Sequence, residues 1–61
     1  MAEAIQAGLT PTKQAVATNQ QNIAANKQAT QANASAIQTN SQDIAANQAA
    51  TSANQQAISA N

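Results

Sequence analysis

Most of this chain follows a seven-residue pattern in which a large apolar residue or a threonine is followed, three residues later, by asparagine. These two positions are a and d of a heptad, and both fall on one stripe of an α-helix. Seven of the eight asparagines occupy d, so the pattern predicts a coiled-coil seam with a polar second layer. The a positions are Leu9, Val16, Ile23, Thr30, Ile37, Ile44, Thr51 and Ile58, and the d positions are Asn19, Asn26, Asn33, Asn40, Asn47, Asn54 and Asn61.

The length and composition do not supply a globular core for one chain. The 61 residues include no aromatic side chain, cysteine or histidine, and alanine makes up most of the apolar fraction. The few larger apolar side chains bury too little surface to offset the entropy lost when the backbone is ordered. We therefore expect an obligate homo-oligomer, in which other copies of the chain provide the missing burial.

The charged residues exclude several classes of function. Glu3 and Asp43 are the only carboxylates, and they lie far apart in the sequence without a histidine or cysteine, so we expect no enzymatic activity and no metal site. Two lysines balance them, and the chain therefore offers no basic patch for nucleic acid. No apolar run is long enough for a membrane span, and the first residues lack a signal-peptide pattern.

The breakers divide the chain into two predicted regions. No glycine or proline follows Pro11, which predicts an all-α fold with one long helix over residues 11–61. Thr10 is the predicted N-cap, and Pro11 fits the first helical position. Residues 1–10 are predicted to form a head or docking arm, either a short helix or an extended segment. Ile5 and Leu9, four residues apart, are its candidate docking residues, or else the frayed first turn of the bundle.

A longer period of three heptads lies over the single heptads. Ile23–Asn26 recurs as Ile44–Asn47, and Thr30–Asn33 recurs as Thr51–Asn54, so that the a residues repeat in the order Ile, Thr, Ile. Because this period is a whole number of heptads, the register does not slip, and a strict seven-residue repeat predicts a left-handed supercoil. The threonine hydroxyls are expected either to bond the carbonyl of the preceding turn or to hold a water on the axis.

Asparagine at d favours parallel chains. A buried amide is unfavourable unless it is hydrogen-bonded, and parallel chains in register place asparagine beside asparagine, whereas antiparallel chains place it against isoleucine. The flanking positions carry no ion pair in register, since Asn22 faces Lys27 and Asp43 faces Gln48. These residues predict a parallel coiled coil and leave the number of chains open, as well as the choice between water and an ion among the amides.

The Ile-x-x-Asn units at Ile23, Ile37, Ile44 and Ile58 resemble the stalks of trimeric autotransporter adhesins and of phage tail or capsid fibres. The resemblance implies a trimer in which three d-position amides surround the axis and bind an anion such as chloride. It makes the seven d asparagines named above the candidate anion-binding residues and implies no other cofactor. Thr30 and Thr51 depart from the pattern, because both replace an aliphatic a residue, and their heptads are expected to be the weakest.

The sequence therefore predicts a structural fibre segment that residues 1–10 could attach to a larger assembly. A start at Met1 without a signal-peptide pattern favours a virion fibre over an adhesin stalk on a bacterial cell surface, which is the alternative. A helical ice-binding protein is a weaker alternative, because it requires regularly spaced threonines on an exposed face. Here the recurring threonines are three heptads apart, and Thr30 and Thr51 lie in the seam.

Overall fold

The computed structural model describes all 61 residues and contains one element, helix α1, Ala2–Ala60. Its backbone has no cis peptide bond and no residue with positive φ. Alanine and glutamine favour this conformation, whereas the frequent asparagine, threonine and serine residues weaken it. The predicted all-α fold and the long helix after Pro11 are confirmed.

The predicted start of the helix is wrong, because α1 begins at Ala2 and not at Pro11. It passes through Gly8 and Pro11 without a break, and the backbone N–H of Ile5 already donates to the carbonyl oxygen of Met1 at 3.1 Å. Residues 2–7 contain three alanines, a glutamate and a glutamine, which are all good helix formers. These residues extend the helix on the N-terminal side of the two breakers.

Thr10 does not act as an N-cap. Its hydroxyl donates to the carbonyl oxygen of Gln6 at 2.9 Å, which is the hydrogen bond that a threonine makes inside a helix. Pro11 has no N–H, so the carbonyl of Ala7 lacks the backbone donor that an α-helix normally provides four residues later. The first three turns of α1 therefore form despite two unfavourable residues, Gly8 and Pro11, and are its least supported part.

The chain divides into two units, Met1–Thr30 and Gln31–Asn61. Neither unit has a buried side chain. In the first, the side chains of Leu9 and Ile23 are 44% and 67% exposed, and in the second Ile58 is 73% exposed. Each unit thus leaves its larger apolar side chains without a core to cover them. No segment of α1 is both long enough and apolar enough to cross a membrane.

Candidate assembly seam

The seam consists of the a and d residues of the heptads, and α1 supplies the geometry that aligns them. Seven residues make almost two full turns of an α-helix, so residues seven apart lie nearly above one another, with a small drift. All the predicted a residues and six of the seven d asparagines lie within α1. Asn61 follows the last helical residue, and its N–H still donates to the carbonyl oxygens of Ala57 and Ile58, both at 3.2 Å.

The two seam threonines make the same hydrogen bond in both units. The Thr30 hydroxyl donates to the carbonyl oxygen of Asn26 at 2.9 Å, and the Thr51 hydroxyl donates to that of Asn47 at 2.9 Å. The first of the two expected roles for these hydroxyls is therefore confirmed. Since a hydroxyl has a single proton, each threonine oxygen keeps only acceptor capacity toward any group that approaches the seam.

One stretch of the seam forms a shallow open depression with a volume of about 390 Å³. Its lining includes Ile44, Asn47, Gln48 and Thr51, together with Ser52. The first four occupy positions a, d, e and the next a, which are the four positions that surround a d side chain inserted from a neighbouring parallel helix. In register, the inserted side chain would be Asn47 of another copy.

The unit Met1–Thr30 contains an equivalent set of residues. Ile23, Asn26, Lys27 and Thr30 occupy the same a, d, e and a positions, and the Thr30 hydrogen bond matches that of Thr51. The two sets differ only at e, where a lysine in the first unit replaces a glutamine in the second. Their core-forming residues are therefore the same, and a charge distinguishes their edges.

The continuity of α1 gives Ile5 a position in the heptad pattern. Counting back in sevens from Asn19 gives Thr12 and then Ile5 at d, while Leu9 is already at a. Both apolar side chains are exposed, at 58% for Ile5 and 44% for Leu9. The heptad spacing alone places Ile5 in the seam once the count is continued past Pro11, where the helix was predicted to start. The docking role of these two residues stays a prediction.

The charged side chains have no partner within the helix. Glu3 and Lys13 are the closest pair in sequence, and ten residues of α-helix separate them by about 15 Å. Lys27 and Asp43 lie more than two heptads apart, and both are exposed. Nowhere do three or more histidine, cysteine, aspartate or glutamate side chains come together. Any ion pair that Lys27 or Asp43 makes must therefore involve another molecule.

No protein-family model matches this chain, and neither a curated protein nor a solved structure matches it. Function must therefore be inferred from three features of α1 itself. These are the exposed a residues, the d asparagines beside them, and the set of a, d, e and a residues that recurs in both units.

Proposed function

We propose that these 61 residues form a structural rod segment, in which three parallel copies of α1 wind into a left-handed coiled coil through the seam. The observation that carries the proposal is that no apolar seam residue is buried: Ile23, Ile37 and Ile44, for example, are 58–67% exposed. An isolated helix of this composition gains nothing from packing, whereas copies that cover the seam bury every isoleucine.

The polar half of the seam supports parallel chains. In a parallel bundle in register, each d layer brings together identical amides, which can donate to and accept from one another or from a group on the axis. The threonine hydroxyls do not compete as donors, because their protons are bound to the carbonyl oxygens of Asn26 and Asn47. Antiparallel copies would instead leave amides against isoleucine.

The proposed setting is a virion fibre, and it is supported by the resemblance of the Ile-x-x-Asn units to those of phage fibres. In that setting, residues 1–10 connect the rod to the rest of the particle. Adhesin stalks share this core, so the location distinguishes the two. Antibodies raised against the chain should label intact virions, whereas labelling of a bacterial cell surface would replace the virion by an adhesin.

Trimer formation can be tested directly in solution. Sedimentation equilibrium and circular dichroism at several concentrations should give a helical trimer whose melting temperature rises with concentration. Ile44→Lys places three charges in one a layer and should abolish the trimer, while Gln42→Lys, at the outward f position, should leave it intact. A monodisperse dimer or a helical monomer would contradict the proposal.

The d asparagines are the proposed anion site of the trimer. Three amide groups that point their N–H atoms at the axis would bind a small anion such as chloride. Replacing chloride by a large, weakly coordinating anion should then lower the melting temperature of the trimer. The same melting temperature in all halides would indicate that water fills the seam.

A further inference from the structure

The asparagines at d do not exclude a shift of one chain against another by a whole number of heptads. Because d is asparagine in seven successive heptads, a neighbouring copy can slide by a whole number of heptads and still place asparagine against asparagine. The a residues are more selective. A shift of one heptad sets Thr30 against Ile37, and a shift of two heptads sets it against Ile44. A shift of three heptads sets Thr30 against Thr51 and Ile23 against Ile44, so the a residues from Val16 onward match again. Before Val16 the match fails, because Leu9 meets Thr30.

The flanking charges favour this shifted register. In a parallel bundle, a g residue faces the e residue five positions further along its neighbour. In register, Asp43 at g faces Gln48. When the neighbour is shifted by three heptads, its Lys27 occupies the level of Gln48 and faces Asp43. Shifts of one and two heptads place Ser41 and Ala34 there instead.

Only one other shift gives Asp43 a lysine. A shift of five heptads brings Lys13 to the level of Gln48, but it sets Val16 against Thr51 and leaves only three a layers in contact. The three-heptad shift is therefore the one that combines a matched core from Val16 onward with an ion pair. Both charged side chains are exposed and have no partner within their own helix.

We propose that this chain associates with copies of itself in a second, staggered register, shifted by three heptads and selected by the ion pair between Asp43 and Lys27 of the neighbouring copy. This inference rests on the parallel coiled coil proposed above. The same shift repeated from copy to copy does not return to the first copy, so the staggered assembly stays open and grows lengthwise, whereas the bundle in register is closed.

Salt should control the competition between the two registers. The ion pair joins exposed side chains, and the screening length falls from about 30 Å at 0.01 M to about 3 Å at 1 M ionic strength. Low salt and high protein concentration therefore favour the open, staggered assembly. High salt removes its advantage and leaves the closed bundle.

Sedimentation velocity at these two salt concentrations tests the proposal. At low salt, the unaltered chain should form species larger than the trimer that grow with concentration, and at high salt these should revert to the trimer. Lys27→Asp and Asp43→Lys each place like charges together in the staggered register, so each should leave only the trimer at low salt. The double variant restores an opposite pair and should restore the larger species.

Lys13→Asp is the matched control, because it changes the net charge as Lys27→Asp does, at an e position that faces alanine in the staggered register. It should assemble like the unaltered chain. If all of these variants form the same species at low salt, the staggered register is wrong while the trimer stands. If no variant forms a trimer even at high salt, the proposed coiled coil itself is wrong.

The register can also be measured by contact quenching of fluorescence, since the chain has no aromatic residue of its own. One set of chains carries Ala50→Cys with an attached fluorophore that tryptophan quenches, and a second set carries Ala34→Trp. In register, the labelled Ala50 position faces Gln55, which lies about 31 Å from Ala34 along the axis, whereas the three-heptad shift makes the two substituted positions face each other. Lowering the salt should quench the mixture, and unchanged fluorescence would contradict the stagger.

Discussion

The two units of the helix, Met1–Thr30 and Gln31–Asn61, adopt the same backbone conformation for different reasons. In the second unit, the heptads run without interruption, and no glycine or proline opposes the helix. The first unit begins with residues that oppose a helix, namely Gly8 and Pro11, and has no asparagine at d before Asn19. The beginning of α1 should therefore depend more on neighbouring chains than the rest does.

A second comparison is between two matched stretches, Ile23–Thr30 in the first unit and Ile44–Thr51 in the second. Their a and d residues are identical, and so are the hydrogen bonds of their threonines. The two sets differ in charge only at their edges, the flanking positions e and g. Lys27 at e corresponds to Gln48, and at the preceding g position Asn22 corresponds to Asp43. The core thus determines which registers are allowed, and the edges determine which of the allowed registers is preferred.

The largest expected effect tests whether the two sets are equivalent. Ile23→Ala and Ile44→Ala should each destabilise the bundle by about 2–5 kcal/mol per chain, because each removes buried methyl groups and leaves a cavity in an a layer. Thermal unfolding followed by circular dichroism at one protein concentration measures both. Gln28→Ala, at an outward f position, is the control and should change little. A much smaller effect for Ile23→Ala would mean that the first unit does not pack into the seam as the second unit does.

Pro11→Ala should affect only the first unit. It gives the carbonyl of Ala7 a backbone donor and removes the clash of the proline ring, which should stabilise the helix by about 3 kcal/mol per chain. Amide hydrogen exchange should slow in the first three turns and stay the same in Gln31–Asn61. Gln14→Ala, one turn later, is the control. Exchange that is already slow before the substitution would show that neighbouring chains hold this segment.

The sequence was sufficient to predict the helix but not its start. The heptad spacing of Val16 to Ile58 predicts α1 because a long pattern averages over many residues. Thr10 and Pro11 predicted a helix start, but in α1 the Thr10 hydroxyl donates to the carbonyl oxygen of Gln6 instead. A proline is compatible with both a first turn and a strained interior, so a single residue could not decide between them.

The sequence predicted which a and d residues form the seam, and the structure added which of their polar groups already make hydrogen bonds within the helix. The hydroxyl protons of Thr30 and Thr51 are committed to their own helix, which spacing alone left undecided between a carbonyl and a water. The number of chains, their register and any ion on the axis depend on contacts between molecules. A single helix has no such contacts, so these properties are determined by sedimentation, by the response to salt and halides, and by fluorescence quenching.

The seam threonines should give a smaller effect that is equal in both units. Thr30→Val and Thr51→Val replace a hydroxyl by a methyl group in the seam, which should stabilise the bundle by about 1 kcal/mol per chain. The backbone hydrogen bonds of the helix remain. Thr39→Val, at position c on the flank, is the control. Thermal unfolding measures the change, and a loss of stability would indicate that the hydroxyl oxygen accepts a hydrogen bond from a water on the axis.

The double variant, Thr30→Val with Thr51→Val, sharpens the same comparison. With an aliphatic residue in every a layer from Val16 onward, shifts of one and two heptads match as well as a shift of three. Sedimentation velocity at low salt should then show a broader distribution of species. An unchanged distribution would mean that features other than the threonines exclude these shifts.

Gly8→Ala should have the smallest effect, and its sign is informative. The helix of a single chain has space for the substitution, because a Cβ atom at Gly8 would meet nothing within 4 Å and the backbone there has no positive φ. Replacing an interior glycine by alanine should stabilise the helix by about 0.5–1 kcal/mol. Thermal unfolding measures the change, with Ser35→Ala, at an outward position f, as the control for helix propensity alone.

Gly8 occupies a g position, where Ala15 and Ala29 stand in later heptads, so alanine is compatible with the bundle there if the first turns pack like the others. A loss of stability would mean that a neighbouring chain approaches the backbone at Gly8 more closely than a Cβ atom allows. Residues 1–10 would then pack differently from the rest of the rod. That result would favour a docking role for Ile5 and Leu9, whereas a gain would make them the first layers of the seam.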